Sequence, residues 1–159
     1  MNKRRCYDGV VVRLMVLFVA GATRLLAGEG PSGTKWALIL GVDAYQDTSF
    51  SRIIRATSHG RQVASILRQQ YGYASVNIIE LYNRAATEHA VYDAIARIRG
   101  SSSNNDSFFG YFAVDVVNGE DVGEAYLVPV DGVPNEPWTM VTHRAFEKYF
   151  GNLRSMLLA

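Results

Sequence analysis

The chain has 159 residues, 48% hydrophobic and 19% charged, which is enough for one domain with a real core and too short for two. Lys3, Arg4, Arg5, Arg13 and Arg24 against Asp8 give the first 27 residues a net +4, so the total of +1 leaves about −3 for the rest. A weakly acidic body without an aromatic and basic stripe excludes a nucleic-acid partner, and the composition excludes a disordered or low-complexity chain.

The basic head, the apolar run Leu14 to Ala22 and the small residues Ala20 and Ala22 predict a signal peptide over 1–27, hence export to a periplasm or the outside. Without that cleavage the chain is cytoplasmic. The run is too short for a stop-transfer helix, so no membrane span is expected after processing. The Arg4-Arg5 pair is a weak twin-arginine signal. Cys6 is the sole cysteine, so a processed chain has neither an intrachain disulfide, nor a cysteine-ligated metal, nor a thiol nucleophile.

Residues 28–34 (GEGPSGT) read as a linker, and the globular part is expected over 35–159. Ala37 to Leu40, a continuous apolar run ending at Gly41, predicts a strand buried on both faces. From His59 to Tyr71, Val63, Ile66, Leu67 and Tyr71 fall on one helical face, with Gly72 placed to end the helix. Val76 to Leu81 predicts a second strand. Thr87 is a candidate N-cap for a helix burying Val91, Ala94, Ile95 and Ile98 and stopped at Gly100.

Ser101 to Asp106 reads as a polar loop, Phe108 to Val114 as a third strand, and Ala125 to Val130 as a fourth extended piece whose Pro129 suits a strand end. Thr142 is the predicted N-cap of a last helix, stapled by Val141 and Phe146, with Ala145, Phe146, Tyr149 and Phe150 inward. Strands alternating with helices predict an α/β domain, mainly parallel, with helices on both faces of the sheet. Ligands gather at the carboxyl ends of such strands. Asp43 and Asp115 are expected there with Asp131 just beyond, an acidic rim.

The order WALILGVDAY, ATSHGRQVASIL, VNIIELYNRAAT, DSFFGYFA and VNGEDVGEAYLVPVD resembles the first half of the caspase, metacaspase and bacterial caspase-like cysteine peptidases. It covers roughly Lys35 to Ala159, about half of a full family domain. The resemblance implies cysteine-type endopeptidase chemistry, with a histidine in a Gly-His-Gly turn after the third strand and a cysteine after the next strand. Here Val114, Asp115 and Val116 fill that turn, and an aspartate with an ordinary pKa near ~4 is too weak a base to take a thiol proton near neutrality. Met156 to Ala159 resembles the start of the cysteine-bearing strand. His59 falls where family members selective for basic residues carry an aspartate, while Asp131 matches the family's other acidic pocket residue. The resemblance therefore implies substrate-binding positions at Asp43, His59 and Asp131, and no catalytic residue beyond the degenerate position Asp115.

For Asp115 the competing reading is a solvated carboxylate at a strand end. His59, His89 and His143 lack metal-ligand spacing and read as surface or capping residues. No cofactor or metal is expected. A phosphate-accepting receiver domain would need a lysine on a late strand and a chain order that this sequence lacks. The sequence leads to a catalytically inactive pseudopeptidase or a truncated fragment, completed by a protein partner or a companion chain that supplies strands. The alternative is a binding or regulatory α/β module whose acidic rim takes a divalent cation.

Overall fold

The computed structural model describes residues 33–119, 124–150 and 154–156. The predicted signal peptide, Cys6, most of the linker and Leu157 to Ala159 lie outside the described residues. The first strand, β1 (Lys35–Gly41), is buried at every position after Lys35. It needs this apolar run because it is flanked on both sides, by β2 (Ile78–Tyr82) and by β3 (Ser107–Ala113). A short strand, β7 (Arg154–Met156), lies against the far side of β3, giving the order β2-β1-β3-β7 with every pair parallel. The domain is thus α/β with a parallel sheet, as its alternating pattern predicts.

Alternation along β1 divides the core. Trp36, Leu38 and Leu40 face a cluster built with α2 (Glu88–Ser101) and α3 (His143–Phe150), whereas Ala37 and Ile39 face α1 (Ala56–Gln70). The buried stripe of α2 is Val91, Ala94, Ile95 and Ile98, as its spacing predicts, and each fully buried Val or Ile there contributes roughly 1.5–3 kcal/mol. The Thr87 hydroxyl accepts the Ala90 N–H at 3.2 Å, capping the helix. Gly100 lies within the last turn rather than after it.

The predicted buried face of α1 needs correction. Ala56, Gly60, Ala64 and Leu67 are buried, while Ile66 is 43% and Tyr71 53% exposed. Small residues four apart let the helix lie close on the sheet. A Cβ on Gly60 would stand 2.7 Å from Tyr82 Cε1 and 3.2 Å from Ile39 Cγ2. Gly72 does end the helix, at φ 68, with the Tyr73 N–H bonded to the Leu67 carbonyl at 3.1 Å.

After β3 the chain enters a second, antiparallel sheet, β4 (Val116–Asn118), β5 (Ala125–Leu127) and β6 (Val141–Thr142), in that order. The predicted second strand begins later than expected, since Ser75–Asn77 form a 3₁₀ turn. The expected cap of the last helix is also absent. Thr142 ends β6, and its buried hydroxyl has no hydrogen-bond partner among the described residues. Val141, Ala145 and Phe146 are buried as expected, and the Phe146 ring meets Phe112 at 4.8 Å. The Phe150 side chain lies outside the described set. Among the described residues no helix is long and apolar enough to cross a membrane.

Candidate functional site

The carboxyl ends of β1 and β2 and the start of α1 are joined by one polar node. The Asn83 side chain, in the turn after β2, accepts the Asp43 N–H at 2.8 Å and donates to Asp43 Oδ2 at 3.0 Å and to Thr57 Oγ1 at 3.1 Å. Asn83 sits at φ 46, a left-handed conformation that Asn tolerates better than most residues. Asp43 Oδ1 accepts the Thr57 N–H in the first turn of α1 at 3.2 Å. A carboxylate from the loop after β1 thereby caps a helix whose preceding residue, Arg55, supplies no side-chain cap. Burial acts to raise the Asp43 pKa, but the hydrogen bonds from Thr57 and Asn83 outweigh it and hold the carboxyl below its ordinary range.

Asp115 follows β3 and is 2% exposed. It is not a solvated strand-end carboxylate. Its N–H donates to the Tyr45 hydroxyl oxygen at 2.6 Å and its carbonyl accepts the Val128 N–H at 2.9 Å. The backbone at this position thus ties the loop after β1 to the chain after β5. Burial pushes the Tyr45 phenol well above its ordinary pKa, and the charge of Asp115 acts in the same direction.

Asp131 accepts the Glu88 N–H at 2.9 Å and so serves the first turn of α2. His59 is half-buried in the first turn of α1, its N–H bonded to the Arg55 carbonyl at 2.9 Å. The other histidines are elsewhere: His89 pairs with Asp93 at 3.3 Å on the surface of α2, and His143 Nδ1 lies 3.3 Å from Ala125 N. Among the described residues no three His, Cys, Asp or Glu side chains converge as a metal site. Asp43, Asp115 and Asp131 therefore do not assemble into the expected cation-binding rim. Two of them cap different helices, and the third is buried.

Asn83, Thr57 and Tyr45 hold the strand ends together without having been marked by the sequence. Asn83 in a turn was its own weak signal, but its partners are 40 and 26 positions away. The β4 strand was not read from the sequence, and in it Asn118 pairs with Ala125 instead of forming a two-residue turn with Gly119.

The fold and this node define an α/β domain with a polar cluster at the strand carboxyl ends. No family model matches the chain, and no curated protein matches it. The fold is similar to the crystal structure of protein GSU0716 from Geobacter sulfurreducens, a structural-genomics target, with a TM-score of 0.60 and 18% identity. That likeness covers 77% of this chain and 47% of the other, so the chain spans about half the length of that structure. At this identity the likeness concerns the fold alone.

Proposed function

We propose that this chain is a caspase-like module without cysteine–histidine chemistry, and that it acts by binding rather than by proteolysis. The observation that carries the reading is Asp115. It follows β3, where the resemblance expects an imidazole, and its side chain is buried beside Tyr45 instead of being offered to a substrate. A general base must reach the proton it removes, and the Asp115 carboxylate, 2% exposed, does not reach a substrate. The parallel pairing of β3 with β7 supports the family half of the reading. It sets Arg154 to Met156 beside Ser107 to Phe109, so the segment that resembles the start of the family's next strand runs parallel to the first half of β3. The chain's single cysteine, Cys6, belongs to the N-terminal stretch instead.

The test is turnover by the full chain on fluorogenic peptides with Arg, Lys or Asp before the cut, with and without calcium. No cleavage above buffer is expected. Cleavage that co-purifies with the chain and disappears in Asp115→Asn would overturn the proposal.

A further inference from the structure

The segment Arg52-Ile53-Ile54-Arg55 leads from the β1 end into α1. Ile53 packs on the α1 side of the core, but Ile54 is 85% exposed, more than any other large hydrophobic side chain among the described residues. Arg52 and Arg55 are exposed on either side of it. Arg84 is exposed in the neighbouring turn, directly after Asn83, whose amide bonds to Asp43 and Thr57. Two loops thus place three arginines and one isoleucine at the same end of the domain.

Among the described residues none of these arginines has a carboxylate within ion-pair distance. The acids close by in the chain are engaged elsewhere. Asp43 holds Thr57 and Asn83, Asp47 accepts the Ser49 N–H at 2.8 Å, and Glu80 holds Arg68 and Tyr82.

Arg55 also sits at φ 69, a left-handed conformation unfavourable for a residue with a Cβ. The surroundings fix it there. The Ile53 N–H bonds to the Asp43 carbonyl at 3.1 Å, the Thr57 N–H to the Asp43 carboxylate, and the His59 N–H to Arg55's own carbonyl. Glycine would hold this backbone without strain. An arginine kept at a strained, exposed and unpaired position is explained by what its side chain meets.

We infer that Arg52, Ile54, Arg55 and Arg84 form a docking surface for a partner-protein segment in which carboxylates flank an apolar side chain. The unpaired guanidinium groups select the acids, by forked hydrogen bonding that lysine could not reproduce. Ile54 is the apolar anchor between the charged groups, as an interface places an apolar centre within a polar rim. The inference deepens the binding-module reading and rests on it by naming the partner's chemistry.

The experiment titrates the isotope-labelled full chain with a synthetic peptide of Asp and Glu residues around a central Leu, following amide shifts. Two control peptides replace the acids by amides or the Leu by Ser. Shifts centred on Ile54, Arg55 and Arg84, weaker with either control and weaker as salt is raised, are expected. Arg55→Gly keeps the backbone conformation and is expected to weaken binding about tenfold, as truncation of an interface arginine does. Arg84→Ala should weaken it in the same direction. Shifts elsewhere, no binding of the acidic peptide, or unchanged affinity in Arg55→Gly would each overturn the docking surface. Mass analysis of the recovered peptide separates the two claims, because cleavage would overturn the non-catalytic reading while the shift map still judges the surface.

Discussion

Replacing Asp106 tests how the start of β1 is held. Its side chain is buried and accepts four hydrogen bonds: the Thr34 N–H at 2.7 Å, the Trp36 Nε1–H at 3.2 Å, and the Ser103 N–H and hydroxyl, both at 3.0 Å. Thr34 and Ser103 are exposed, so in Asp106→Ala their donors turn to water at little cost. Trp36 is buried and cannot. Losing a hydrogen bond to a charged group costs about 1.5–3 kcal/mol, and orphaning the indole N–H brings the expected loss to roughly 2–4 kcal/mol. Asp106→Asn keeps one acceptor and should lose about 1–2 kcal/mol.

The substitution also carries a pH signature. Burial acts to raise the Asp106 pKa, but the hydrogen bonds from Ser103, Thr34 and Trp36 outweigh it, so the folded pKa lies below 3.8. The folded state therefore binds fewer protons than the unfolded chain. The stabilisation is complete above the unfolded pKa and is lost as pH falls through the folded one. Asp106→Asn should flatten part of that acid decline, leaving the share from Asp43, which is shifted the same way. The assay is urea unfolding followed by tryptophan fluorescence in a Trp138→Phe background, where Trp36 is the only reporter of the chain's two tryptophans. A loss under about 0.5 kcal/mol in Asp106→Ala, or an unchanged acid slope in Asp106→Asn, would refute the reasoning.

Gly60→Ala should destabilise by about 1–3 kcal/mol in urea titration despite alanine's higher helix propensity, because its Cβ would press on the Tyr82 ring and Ile39. Arg55→Gly should raise the thermal midpoint, through relief of about 1 kcal/mol or more of backbone strain, in the same variant expected to bind acidic peptide less well. Asp131→Ala should cost about 0.5–2 kcal/mol by uncapping the Glu88 N–H, with faster hydrogen exchange confined to the first turn of α2.

The sequence by itself determined what short-range chemistry controls. The apolar run of β1, the Thr87 cap, the inward stripe of α2 and the stop at Gly72 were all readable, because each depends on neighbours within a turn or two of the chain. From these the α/β alternation and the parallel sheet followed. The sequence also showed that the turn directly after β3, Val114-Asp115-Val116, holds no histidine, whatever the fold around it.

Only the tertiary structure decided which face of α1 is buried. Hydrophobicity favoured Ile66 and Tyr71, but close approach to a sheet face of Ala37 and Ile39 selected Ala56, Gly60 and Ala64 instead. It likewise turned the three aspartates from a shared rim into two helix caps and one buried group. Their donors, Thr57, Asn83 and Glu88, come from other elements and are brought together by strand order. A carboxylate's role depends on which N–H groups the fold carries to it, and pairings 14 to 43 residues apart leave no trace in local spacing.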